Sequence, residues 1–423
     1  MVVKAVRGFS DILPEEILTW RKVEEEARRV LEAFGFREIR IPVLERTELF
    51  ARSIGRETDI VQKEMYSFLD RGGDSVTLRP EATASIARAY IEHRLYSRDP
   101  EVRLYFIGPM FRYERPQKGR LRQFHQINAE VFGVSHPMVD AEVMALLVLL
   151  LSRCGLTEHE LQINSLGCPR CREGFRETLK AFLEERTGRL CQDCLRRKER
   201  NPLRVFDCKV NGCQEVMKEA PLLEDHLCDE CKDHFLQVRS YLEELKVPYS
   251  VNPRMVRGLD YYTKTAFEVV AKGLGAQKAV AAGGRYDNLI AELGGPEVPG
   301  IGFAIGVERL LLVIPSLPPP PPPLLFIATL GDEAERIAFR WCYELKASGI
   351  TAAMDHRRRS LKSQLRRADK LEIPYVAIIG EEEISSGKVI LRDMRQGSQQ
   401  NVPLDTFVQE IRERLGPSVH EAL

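Results

Sequence analysis

Three stretches of the chain concentrate side chains able to do chemistry. The first is Phe111–Gly133, FRYERPQKGRLRQFHQINAEVFG. Between Arg112 and Arg122 stand five cations (Arg112, Arg115, Lys118, Arg120, Arg122) and one anion, Glu114, a local charge of +4. Pro116 and Gly119 put a turn between two strand-like runs, so the segment reads as a hairpin with an arginine-rich tip. Guanidinium forks bind phosphate oxygens bidentately and stay charged at any accessible pH, which suits such a tip to phosphates. A solvated loop would share that charge. It would not explain the returning strand, where Phe124, Gln126, Asn128 and Glu130 make a polar face where a sheet face should be apolar.

The second concentration is cysteine. Eight of the ten lie between Cys168 and Cys231, as CPRC (Cys168, Cys171), CQDC (Cys191, Cys194), the pair Cys208 and Cys213, and CDEC (Cys228, Cys231). Three C-x2-C pairs and one C-x4-C pair have the spacing of tetrahedral zinc sites. There are enough thiolates for two such sites, and four thiolates leave no open position, so the metal would be structural. The spacing alone leaves open whether one, two or no zinc ions are held. The third concentration is Asp355–Lys370, DHRRRSLKSQLRRADK, with seven cations and two anions. Arg359, Lys362, Arg366 and Lys370 fall at helical spacing on one face, which suits either an RNA backbone or a solvated helix.

These groups need elements to position them. A length of 423 residues allows two or three domains. Lys plus Arg and Asp plus Glu are both 62, so the average charge names no partner, and 44 % apolar residues exclude wholesale disorder. The longest apolar run, Val143–Leu151, is far short of the ~20 residues of a membrane span. The N-terminus lacks the apolar region of a signal peptide, so a cytoplasmic protein with reduced thiols is expected.

Pro315 and the run Pro318–Pro323 can form neither helix nor central strand and divide the chain. Residues 1–317 then form one unit, 318–323 a linker and 324–423 a second unit. In the second, Leu324–Leu330, Ile350–Met354 and Tyr375–Ile379 read as strands. Helices over Ala334–Ser348 and the basic stretch make it an α/β domain. In the first, helices are expected within Pro14–Phe34 and over Asp140–Cys154. Strands are expected at Arg103–Ile107, Phe124–Phe132, Thr265–Val270, Ala279–Ala282 and Ile301–Ile305. That order predicts an α+β unit built on an antiparallel sheet flanked by helices. No GxxxxGK[ST] or GxGxxG occurs, so any nucleotide must be held by another device.

The hairpin resembles motif 2 of class II aminoacyl-tRNA synthetases, and Gly300–Leu312, GIGFAIGVERLLL, resembles their motif 3. RGFSDILPEE from Arg7, TLRPEATASIAR from Thr77, MVRGLDYYTKTAFE from Met255 and AAGGRYDNL from Ala281 are similar to signatures of the histidyl-tRNA synthetase family. The resemblance covers nearly the whole chain, and RGLDYY is its most specific segment. It implies a class II catalytic domain with a helical insertion at about 165–245 and a C-terminal anticodon-binding domain. The implied activity is ATP-dependent formation of histidyl-adenylate and its transfer to the 3′ end of tRNA(His). Partners would be L-histidine, tRNA(His), ATP with Mg2+, and a second copy in a homodimer whose interface includes the segment up to Phe50.

Residue by residue, the resemblance implies that Arg112 and Arg257 bind the α-phosphate from two sides. Arg120 and Arg309 would hold the terminal phosphates, and Phe124 and Arg309 would sandwich adenine. Glu130 and Tyr262 would meet the imidazole, and Glu81, Thr83 and Gln126 the α-amino and carboxylate groups, with Tyr261 alongside; Arg112 and Arg257 adjoin the same histidine. Strand alternation would allow only one of the two tyrosines to be mere core. Gln126 and the adenylate phosphate are both candidates to take the proton from the tRNA hydroxyl. Arg115, Lys118, Arg359, Lys362 and Arg366 are candidate tRNA contacts. The cysteine cluster departs from the pattern, since many family members lack it. Lying in the insertion, it is expected to bear on tRNA charging more than on adenylate formation. The alternative is the catalytically inactive synthetase-like regulatory subunit of ATP phosphoribosyltransferase, which lacks the C-terminal domain and catalytic positions that this chain keeps.

Overall fold

The computed structural model describes residues 2–55, 58, 60–274 and 279–416. It falls into two compact units, Met1–Pro318 and Pro319–Leu423. The first is built on an eight-stranded sheet. Its order is Arg37–Glu38, Val102–Phe111, Gln123–Phe132, Gly300–Gly306, Ala279–Arg285, Thr263–Ala271, His159–Ser165 and Ser250–Val251. The six inner strands pair antiparallel, and only the two short edge strands are parallel to their neighbours.

Period-2 alternation gives this sheet two unlike faces. On the strand Gln123–Phe132, Ile127, Ala129 and Val131 join a core with the helix Pro137–Arg153, whose Val143, Met144, Leu147 and Leu151 are buried. The alternate residues, Phe124, Gln126, Asn128 and Glu130, face the other way. Opposite Gln126, Asn128 and Glu130 on the strand Gly300–Gly306 stand Gly306, Ala304 and Gly302. Gly302 makes room for its partner: a Cβ there would lie 1.8 Å from Glu130 Oε2.

Between the strands His159–Ser165 and Ser250–Val251 the chain forms four helices, Pro169–Glu184, Gln192–Arg200, Asn211–Met217 and Asp229–Glu244. Their apolar positions Phe175, Leu179, Leu183 and Val216, with Val205 of the turn Pro202–Asp207, join one core with Tyr90, Tyr261 and Tyr262 of the sheet-bearing part of the unit. A buried ion pair lies beside the last of these helices. Arg285, fully buried, donates to both oxygens of Asp140 and to the Val134 carbonyl. His234, on the last of the four helices, lies 3.7 Å from Asp140. Burial and then the Arg285 charge hold His234 down at about 4, so it is neutral at physiological pH. Arg285→Met leaves the Asp140 carboxyl buried without its partner, and stability is expected to fall by about 3–5 kcal/mol. Thermal unfolding checks this; a Tm within ~2 °C of wild type would sink it.

The second unit is a five-stranded mixed sheet in the order Ala352–Met354, Leu325–Thr329, Tyr375–Ile379, Lys388–Asp393 and Gln399–Pro403, with helices on both faces. The basic helix runs Leu361–Lys370, so Arg359 lies outside it, two residues before the first turn. Ser360 takes the N-cap position, and the Arg359 carbonyl accepts from the Gln364 side chain. Lys362, Arg366 and Lys370 remain exposed on the helix. Among the described residues, no helix is long and apolar enough to cross a membrane.

Candidate active site

The polar face of the first sheet floors a cavity of about 600 Å³. Its lining includes Glu81, Thr83, Arg112, Arg120, Phe124, Gln126, Arg257, Tyr261, Tyr262 and Arg309, drawn from four separate stretches of sequence. Arg115 and Lys118 do not line it, nor does Glu130. The Glu130 carboxylate lies just beneath the floor, 1 % exposed. Thr83 Oγ1 donates to its Oε1 at 2.6 Å, and the Tyr286 hydroxyl donates to its Oε2. Burial, against these hydroxyls, pushes the Glu130 carboxyl up to about 8. Glu81 is raised by the same cause, although its oxygens accept the backbone N–H of Thr83 and Ala84 at the start of a helix.

Each cavity arginine is aimed by a neighbour. Arg112 Nε donates to the Pro80 carbonyl at 2.8 Å, and its guanidinium lies 5.3 Å from the Phe124 ring centre. Arg120 pairs with Glu114 at 2.8 Å. Arg309 Nε donates to the Ala279 carbonyl, and burial, then the nearby Arg120 charge, lowers its pKa. Arg257 stands 3.5 Å from Glu268 and 5.3 Å from the Tyr262 ring centre. Arg257 Nε and Gln126 Oε1 are buried without a hydrogen-bond partner among the described residues. A buried donor and a buried acceptor left open in one polar cavity mark places where a ligand is expected to complete the bonding.

Tyr261 and Tyr262 are both buried, at 5 % and 7 % exposure. Strand alternation does not separate them, because both precede the strand Thr263–Ala271 and sit in the turn leading to it. Glu114, Glu268, Tyr286 and Gly302 are site residues to which sequence reading assigned no role in the cavity. The period-2 pattern of the strand Thr263–Ala271, with Glu268 at an alternate position, was the available signal for one of them.

The eight cysteines form two nested quartets. Cys168, Cys171, Cys228 and Cys231 make one, and Cys191, Cys194, Cys208 and Cys213 the other, with ligand atoms within 4.8 Å of one another in each. Tetrahedral zinc with bonds of about 2.3 Å requires sulfur separations of about 3.8 Å, so both quartets fit the ion. Cys168 and Cys228 stand 4.0 Å apart, and Cys191 and Cys208 3.8 Å. Backbone N–H groups supply part of the second layer: Cys228 N–H donates to Cys171 Sγ, and Cys191 N–H to Cys213 Sγ, both at 3.2 Å. The insertion is not remote from the cavity, since Lys209, next to Cys208, lines it, so the position of the cysteine cluster does not confine its effect to tRNA charging.

A predominantly antiparallel sheet floored with polar side chains, an arginine-tipped hairpin on one strand pair and a short helix carrying Arg309 together make the class II aminoacyl-tRNA synthetase architecture. Residues 8–310 match the family model for histidyl-tRNA synthetase, and residues 325–414 match that for the anticodon binding domain. The chain belongs to the histidyl-tRNA synthetase family. It is 57 % identical to a histidine–tRNA ligase of Geobacter metallireducens over 96 % of this chain and 98 % of that one. It is 54 % identical to that of Syntrophotalea carbinolica over 98 % and 99 %. The solved structure of the apo histidyl-tRNA synthetase of S. aureus is 37 % identical, with a TM-score of 0.78 over 97 % of this chain and 99 % of that one.

Proposed function

We propose that this chain is a histidine–tRNA ligase. Bound histidine presents its carboxylate to the α-phosphorus of ATP; a carboxylate–phosphorus bond forms, the bond to the β-phosphate bridging oxygen breaks, and pyrophosphate leaves. The nucleophile is already ionised, so the site needs no general base and acts by positioning and charge neutralisation. Arg112 and Arg257 neutralise the α-phosphate, while Arg120 and Arg309 take the terminal phosphates with Mg2+ supplied by the nucleotide. Phe124 and Arg309 enclose adenine. Glu81, Thr83 and Gln126 receive the α-amino and carboxylate groups, and Glu130 with Tyr262 the imidazole. The observation that carries this reading is the polar floor, with its open Gln126 and Arg257 atoms, in a cavity that Arg112, Arg120 and Arg309 also line.

The regulatory-subunit alternative finds no support in the high-identity relatives, which are named ligases over nearly their full length. Histidine-dependent exchange of pyrophosphate into ATP, followed by charging of tRNA(His), is the expected result. Histidine binding without exchange would overturn the proposal. Charging would draw on Arg115 and Lys118 at the hairpin and on Arg359, Lys362 and Arg366 in the second unit. A homodimer in the cytoplasm completes the reading. Its support is a set of exposed apolar side chains, Val43, Leu44, Phe68 and Leu69, on and beside the edge strands of a small sheet ordered Leu44–Arg46, Ser75–Leu78, Tyr66–Leu69.

The two cysteine quartets would hold structural zinc, one ion each. Elemental analysis of the purified chain is expected to find two zinc ions. A metal-free, fully active enzyme with eight titratable thiols would refute this.

A further inference from the structure

We infer that the two metal sites clamp opposite ends of one active-site segment, residues 257–264, and that each controls a different kinetic constant. The inference rests on the zinc reading above. The inner quartet grips the N-terminal end. Arg204, between Cys194 and Cys208, donates Nη2 to the Gly258 carbonyl at 2.6 Å and to Asp260 Oδ1 at 3.1 Å. Asn201 of the same loop donates to that Asp260 oxygen at 3.3 Å. Gly258 follows Arg257, so the peptide held by Arg204 sets where the phosphate-binding guanidinium begins.

The outer quartet grips the C-terminal end from both of its knuckles. Arg172, next to Cys171, donates Nη1 to the Tyr262 carbonyl at 3.1 Å. Glu230, between Cys228 and Cys231, pairs with Lys264 Nζ at 3.1 Å. The Lys264 N–H donates to the Gly167 carbonyl at 2.9 Å, and its own carbonyl accepts from Leu166. Lys264 has φ +49, a left-handed conformation that a lysine keeps only when its surroundings impose it. Gly167 is itself fitted to the metal knuckle: its φ is +59, and a Cβ there would stand 2.6 Å from that of Cys171. Tyr262 is therefore positioned through Arg172 and Lys264, while Arg257 is positioned through Arg204.

Arg172 and Arg204 are positioning residues, and a ligand-sparing variant of each separates the two roles. Arg172→Met is expected to raise the Kd for histidine, measured by calorimetry without ATP, by about tenfold, the effect of one lost hydrogen bond to a rigid site. Its kcat for pyrophosphate exchange should stay within about threefold of wild type. Arg204→Met is expected to do the reverse, lowering kcat by about tenfold with the histidine Kd within about threefold. Both variants should keep two zinc ions. Cys168→Ser with Cys228→Ser should lose one zinc and reproduce the first pattern, and Cys191→Ser with Cys208→Ser the second. A wild-type chain with fewer than two zinc ions would overturn the metal reading and the clamp together. Two zinc ions, with Arg172→Met and Arg204→Met shifting Kd and kcat alike or leaving both unmoved, would overturn the clamp alone.

Discussion

Arg257→Ala should lower kcat for histidyl-adenylate formation by about 10²–10³-fold while the KM for histidine changes little. Negative charge grows on the phosphate oxygens as the carboxylate attacks, and a permanently charged planar guanidinium interacts more strongly with that state than with the ground state. Glu268, 3.5 Å away, and the Tyr262 ring hold the side chain in place, so no reorganisation is needed at the moment of reaction. Single-turnover kinetics at saturating ATP and histidine measure the effect. Near-normal kcat with a raised KM would mean that Arg257 only binds substrate.

Glu130→Gln should weaken histidine binding by about tenfold or more, with loss of discrimination against other amino acids. The amide keeps the shape and can still accept the Thr83 hydroxyl, but it cannot carry the charge that pairs with an imidazole N–H. The same variant has a stability signature. The folded-state carboxyl sits at about 8, against an ordinary 4.5, because burial disfavours its charged form. A group raised in this way contributes stability that is fully present below the unfolded value and is lost as pH rises through the folded one. Glutamine does not ionise. The Tm of Glu130→Gln relative to wild type should therefore climb between about pH 4.5 and pH 8 in the absence of histidine. A difference that is flat across this window would show that Glu130 is not the group responsible. Histidine binding and ligand-free stability thus pull in opposite directions at one residue, as expected where a buried charge is kept for recognition.

Much of this site was legible along the chain. The polar strand face from Phe124 to Glu130 is visible because a period-2 pattern placed polar residues where burial requires apolar ones. The arginine-rich turn declares itself by charge and by Pro116 and Gly119, and the proline run after Pro318 by its inability to join either kind of secondary structure. Local periodicity was enough for the antiparallel strands, since each of these features depends on residues a few positions apart.

What needed the tertiary structure depends on residues far apart. C-x2-C spacing marks candidate metal-ligand pairs but cannot say which pairs combine; only the packing of the four insertion helices joins Cys168 and Cys171 to Cys228 and Cys231, leaving the other four to one another. Tyr261 and Tyr262 both bury because the turn before the strand, not strand alternation, orients them. Arg359 leaves the basic helix face because Ser360 takes the N-cap position. Glu130 depends on a glycine 172 positions further on, Gly302, whose missing side chain is the space its carboxylate occupies. A sequence states which side chains exist and how they repeat; which of them meet across the sheet is decided by the register and packing that bury the most apolar surface without leaving charge unpaired.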